Sequence, residues 1–199
     1  MWFSTHFKNR TNLWALGLLA AIVSWSVLTG PALANQASPA NGPDAADWFS
    51  SRYQTLKPLG QGELRFLGLK IYNARLYAEQ PSASQPAKAL YGQPFALRLT
   101  YARSLKGLDI AKRSEEEMAR LMGRDLPQAW TDALQRLFPD VQAGDEITGI
   151  HLPQKGARFY LNGRLIGALE NLELAQSFFD IWLSERTREP SLRASLLGL

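Results

Sequence analysis

Residues 69–78 alternate in polarity, placing Tyr72, Ala74 and Leu76 on one face of an extended strand and Asn73 and Arg75 on the other. Residues 63–67 carry a second strand signal, with Gly68 marking a bend between the two. Residues 95–102 alternate again: Phe95, Leu97, Leu99 and Tyr101 point one way, Arg98 and Thr100 the other. The period then lengthens. Leu108, Ala111, Met118, Leu121 and Met122 predict one helical face, with Glu115, Glu116 and Glu117 outside it. Leu126, Trp130, Leu134 and Leu137 form the stripe of a second helix, ended by Phe138-Pro139. Residues 146–152 return to strand. Residues 157–161 and 164–169 flank Asn162-Gly163, a strong two-residue hairpin signal because both turn positions need positive φ. That turn pairs Leu161 with Arg164, Tyr160 with Leu165 and Phe159 with Ile166. Asn171 can cap a third helix that buries Leu172, Ala175, Phe178, Phe179, Trp182 and Leu183. Pro190 can open a short last helix with Leu192, Leu196 and Leu197 inward. Strands, two helices, strands, two helices predict an α+β fold, an antiparallel sheet with helices packed on one face.

The N-terminus obeys a different logic. Lys8 and Arg10 precede an apolar run at residues 13–28, Gly30-Pro31 breaks it, and Ala32-Leu33-Ala34 supplies small residues for cleavage before Asn35. These are the three parts of an export signal, and the run is short of the roughly 20 residues of a spanning helix. The expected division is a signal peptide at 1–34, a flexible lead-in at 35–47 and one domain at 48–199. The product is expected to be periplasmic or secreted, with no stable membrane span after cleavage. Residues 81–88 read as a surface loop.

Composition narrows the chemistry. The chain is 46% hydrophobic and 20% charged, a globular balance. The signal holds two of the 22 basic residues and none of the 18 acidic ones, so the mature net charge is +2. That offers no basic stripe for nucleic acid. With no cysteine there is no disulfide, thiolate nucleophile or cysteine zinc site. His151 is the single histidine of the mature chain, set in a strand, and reads as structural. Gly60-Gln61-Gly62 has Arg65 where a dinucleotide loop needs its third glycine. No catalytic residues, metal ligands or cofactors are expected from these signals.

Five segments in order resemble the chalcone isomerase-like family, particularly its bacterial exported branch. They are Gly60-Gln61-Gly62 through Gly68-Leu69-Lys70-Ile71-Tyr72-Asn73-Ala74-Arg75-Leu76-Tyr77, then Leu99-Thr100-Tyr101-Ala102-Arg103, Ala143-Gly144-Asp145-Glu146, Asn162-Gly163 with Ile166-Gly167, and residues 178–183. The resemblance implies an open-faced β-sandwich. It implies either cyclisation of chalcones or, in related proteins without that activity, fatty-acid binding in the same cleft. Tyr72 falls where the fatty-acid binders have a carboxylate-holding tyrosine. A dozen residues upstream, where an arginine is expected, stand Leu59 and Gly60, and Arg65 is the nearest arginine. Ile110 falls where the enzymes use a tyrosine. The expected function is therefore non-catalytic binding of a small amphipathic ligand, such as a fatty acid, at Tyr72, Ala74, Leu76 and Arg65. The alternatives are an isomerase or intramolecular lyase acting on an unsaturated carbonyl compound, and an envelope interaction module.

Overall fold

The computed structural model describes residues 53–81 and 87–199. The signal and lead-in expected at 1–34 and 35–47 lie outside the described residues. Alternating segments become β1 (Lys57–Phe66), β2 (Leu69–Ala78), β3 (Phe95–Tyr101), β4 (Glu146–Leu152), β5 (Gly156–Leu161) and β6 (Arg164–Leu169). They form one antiparallel sheet in the order of the chain. Helical segments become α1 (Ala87–Leu90), α2 (Gly107–Met122), α3 (Gln128–Leu137), α4 (Leu172–Leu183) and α5 (Pro190–Leu197). The one-turn α1 occupies the end of the stretch read as loop.

The faces follow the two-residue period. Tyr72, Ala74 and Leu76 of β2, with Phe95, Leu97, Leu99 and Tyr101 of β3, are buried in the main core. Over them α5 lies on β1 and β2, α4 lies on β5 and β6, and α2 packs on α3 and α4. Phe178, Phe179 and Trp182 drive α4 onto the sheet. Burying one such side chain stabilises the fold by about 1.5–3 kcal/mol. The Asn171 side chain accepts the Leu174 N–H at 2.8 Å and fixes where α4 starts. At α2 the start is held by Asp140, which accepts the Gly107 N–H at 2.9 Å and the Lys106 ammonium at 2.7 Å. A smaller cluster of Leu56, Tyr77, Ala96, Ile150 and Tyr160 covers part of the opposite face.

Four expectations need correction. β1 begins at Lys57, not residue 63, and runs through Pro58, Gly60 and Gly62. Those glycines are poor strand formers, yet α5 needs them. A Cβ at Gly62 would stand 2.7 Å from Leu192 Cδ1, and one at Gly60 would strike the Ser195 carbonyl. In the β5–β6 hairpin the first two pairs form as expected, but a bulge moves Phe159 opposite Gly167 rather than Ile166. Leu108 and Leu172, read as buried, are exposed in the first turns of their helices, outside the layer that the sheet covers. Glu117, read as solvated, is buried, because three arginines converge on it.

Candidate functional site

β2 and β3 pair with Tyr72 directly opposite Tyr101, so two tyrosines stand side by side on the helix-covered face. Their rings meet edge to face at 6.0 Å. From above, α4 lowers Trp182 onto them, and its Nε1–H donates to the Tyr72 hydroxyl at 2.9 Å. A buried indole N–H needs an acceptor, and Tyr72 is the acceptor that this register supplies. Burial holds the Tyr72 hydroxyl far above the ordinary tyrosine range, against the smaller opposing effect of the Trp182 hydrogen bond. Tyr101 is raised by burial too, and next by Tyr72 itself. Both are neutral phenols at physiological pH. Because Tyr72 accepts from Trp182, its own proton is left to donate.

Trp182 also reaches an apolar void. A cavity of about 10 Å³ lies between sheet and helices, lined by Leu97, Leu99, Ile147, Phe159, Phe178 and Trp182 among others. That is about the space a single water needs, roughly 10–15 Å³, so the void holds no acyl chain as it stands. Gly149 keeps the floor open: a Cβ there would press on Phe159 Cε1 at 3.0 Å and Phe179 Cε1 at 3.2 Å.

Charges approach the same hydroxyl from the helical layer. Glu189 and Arg113 both act on the titration of Tyr72, the first raising it and the second lowering it. Arg113 belongs to a cluster around Glu117, whose carboxylate meets Arg113 at 2.8 Å, Arg120 at 2.8 Å and Arg188 at 3.0 Å. Arg188 ties the segment between α4 and α5 back to α2. Glu116 also meets Arg113 at 3.4 Å, so with Glu189 the three arginines of this corner face three carboxylates.

The residues expected from sequence separate here. Tyr72 sits at the polar spot. Ala74 and Leu76 follow on the same face, fully packed opposite Leu99 and Leu97. Arg65 is exposed, bonded to Glu63 at 2.5 Å and to the Gly68 carbonyl at 3.1 Å, and its guanidinium is directed at the hairpin. It is not among the charges that act on Tyr72. Tyr101, Trp182 and Arg113 are the additions. Trp182 and Tyr101 were legible as buried positions, and the need of a buried indole N–H for an acceptor is the signal that links them to Tyr72. Ile110, on α2, packs against the core. On the opposite face a polar groove of about 480 Å³ is lined by Gln61, Asn73, Arg75, Arg98, Thr100 and Glu146 among others. Among the described residues no group of three His, Cys, Asp or Glu is placed to hold a metal, and no helix is long and apolar enough to cross a membrane.

An antiparallel sheet with one face under helices, and a tyrosine–tryptophan pair in the layer between, defines an open-faced α+β sandwich. The chain belongs to the chalcone isomerase-like family, whose model matches residues 37–198. Among solved structures it is similar to the fatty-acid-binding protein AtFAP1 of Arabidopsis thaliana. The TM-score is 0.52 at 16% identity, covering 72% of this chain and 87% of that one. No curated protein matches. At that identity the likeness bears on the fold, which is the α+β architecture read from the sequence.

Proposed function

We propose that this chain is an exported, non-catalytic domain that binds a small amphipathic ligand of the fatty-acid class between sheet and helices. The polar end meets the Tyr72 hydroxyl beneath Arg113, and the apolar chain runs beside Trp182 toward Phe178 and Phe159. The observation that carries this reading is the Trp182–Tyr72 hydrogen bond, a polar pair at the margin of an apolar void. Likeness in fold to a fatty-acid-binding protein supports it. Arg113 takes the part that Arg65 was expected to play. A neutral phenol with a proton to donate suits a carboxylate, and Arg113 offsets part of the opposing charge of Glu189. The void is small, so the chain enters by moving Trp182 and Phe178 rather than by filling an open cleft.

The test is extraction and mass spectrometry of protein purified from its own host, followed by displacement of a fluorescent fatty acid. Wild-type protein should release fatty acids, and Tyr72→Phe should weaken displacement by about ten- to a hundredfold, the equivalent of one charge-assisted hydrogen bond. Absence of any acyl ligand would refute this reading. The smallness of the void then favours the interaction module with a collapsed cleft. Chalcone cyclisation should not exceed the rate in buffer, because Ile110 offers no hydroxyl and Arg65 does not meet Tyr72. Stereoselective turnover lost in Tyr72→Phe would instead favour the isomerase.

A further inference from the structure

Two hairpins of the sheet turn the chain with the same backbone and different residues. Asn162 and Gly163 join β5 to β6 with φ of 47° and 79°, and Leu67 and Gly68 join β1 to β2 with φ of 49° and 80°. The left-handed first position suits asparagine, and for leucine it is strained. Leu67 gains no burial in return, being 79% exposed. Its neighbours Phe66 and Leu69 are 53% and 55% exposed, and nothing stands within 4 Å of where a Gly68 Cβ would lie. Three large apolar side chains thus project from one narrow turn.

The same end of the sheet carries more. β3 ends at Tyr101 opposite Tyr72, so α2 starts there with Leu108 exposed. The β5–β6 turn also lies at this end, with Leu165 exposed beside it. Five of the seven large apolar side chains exposed among the described residues are therefore at one end.

We propose that the hairpin tip at residues 66–69 is a membrane-docking element that inserts Phe66, Leu67 and Leu69 into the interface of an anionic bilayer. A specific protein interface takes some 20–30 residues a side, and a convex tip of three side chains is far short of that. A bilayer interface asks less: a few apolar groups driven in, with cations at headgroup level. Arg65 and Lys70 flank the tip, sharing Glu63 at 2.5 Å and 3.3 Å, so these three groups leave one net positive charge beside it. Arg103 is exposed where β3 leaves the sheet at this end, but Asp109, Asp140 and Asp145 stand there too, so the positive charge that counts is the one beside the tip. That charge favours phosphatidylglycerol-type headgroups over zwitterionic ones.

The experiment uses the chain from Asn35, which holds every described element and its core, and measures co-sedimentation with vesicles. One set is phosphatidylcholine alone, and the other is phosphatidylcholine with phosphatidylglycerol. The protein should partition to the anionic vesicles more strongly. Leu67→Asn should lower that partitioning by at least about tenfold, the loss expected for one buried leucine. Its thermal midpoint should be unchanged or raised, since asparagine suits the turn. Leu172→Asn, exposed at the other end of the sheet, should partition like wild type. The proposal is overturned if wild type sediments with neither vesicle set or equally with both. It is also overturned if Leu67→Asn sediments like wild type or melts lower, or if Leu172→Asn loses as much.

Discussion

Replacing Tyr72 by phenylalanine removes one oxygen and leaves the ring in place. Without the oxygen, the Trp182 Nε1–H loses its 2.9 Å acceptor inside the sheet–helix layer. A buried donor left unpaired costs about 1–3 kcal/mol, more than the net value of the bond, about 1 kcal/mol. The ring contact with Tyr101 persists, so packing adds little to the change. For a domain of this size each kcal/mol lowers the melting temperature by about 2–4 °C, and Tyr72→Phe should melt roughly 2–12 °C lower. Trp182→Phe alone also destabilises, but by a different route: it removes indole volume next to the void at Phe178 and leaves an acceptor unpaired. Once Trp182 is phenylalanine, deleting the Tyr72 hydroxyl strands no donor. The double variant should therefore be more stable than the sum of the single changes by about 1 kcal/mol or more. Urea unfolding of the four proteins without ligand measures this. Additivity within about 0.5 kcal/mol, or a Tyr72→Phe protein as stable as wild type, would refute the coupling and the polar spot with it.

Three further outcomes are expected. Mass analysis of the protein recovered from its own host should show a chain beginning at Asn35, and a full-length product would contradict the Ala32-Leu33-Ala34 cleavage site. Glu117→Gln keeps the shape of a buried side chain but removes the charge that three arginines share. Arg113 and Arg188 are more than half exposed and rehydrate, so the loss should be about 1–2 kcal/mol in urea unfolding, not the larger figure for a fully buried pair; a loss under about 0.5 kcal/mol would mean that Glu117 does not hold the α4–α5 segment. His151 is pulled below its ordinary value of 6.5 by burial, against a weaker opposing hydrogen bond to the Tyr91 carbonyl. The unfolded chain then takes up a proton that the folded one refuses, so stability is full above about pH 6.5 and falls as pH drops below it. His151→Phe should flatten that slope in urea titrations between about pH 5 and 7.5, and an unchanged slope would assign the effect elsewhere.

The helix-covered face was legible because its period is strict. From Tyr72 to Leu76, and from Phe95 to Tyr101, alternation alone assigned each side chain to its face. The start of β1 was illegible because Gly60 and Gly62 answer to α5, more than 120 residues later, and not to their own neighbours. Glu117 was misread for a similar reason. In sequence it is the third of three glutamates, and Arg188, which helps bury it, comes from a segment beyond α4. At the site, the strand rule found Tyr72, and the resemblance gave it a role. Neither could place a partner whose position depends on how α4 crosses the sheet. Arg65 is the arginine nearest in sequence to the expected position, but its side chain turns to Glu63, two residues back, and to the hairpin.

The small void and the proposed ligand are reconciled by comparing energies. An acyl chain that buries about ten methylenes gains roughly 8 kcal/mol at 0.8 kcal/mol each. Against this stands the opening of the layer. Breaking the Trp182–Tyr72 bond costs about 1–3 kcal/mol if the indole N–H stays buried and unpaired, and the carboxylate offsets this with a charge-assisted bond worth about 1.5–3 kcal/mol. The Phe178 and Trp182 rings are not exposed to water by the exchange but meet the acyl chain in place of each other, so most of their burial is kept. The balance favours entry for a long chain and not for a short one, because the cost of moving the rings is fixed and the gain grows with length. Affinity should rise steeply from medium to long chains and then level off where the space under α4 ends. An open preformed cleft would gain the same factor per methylene from a higher start, so that short chains already bind. Displacement titrations across a series of saturated fatty acids distinguish the two, and measurable binding of the shortest members would contradict opening at Trp182.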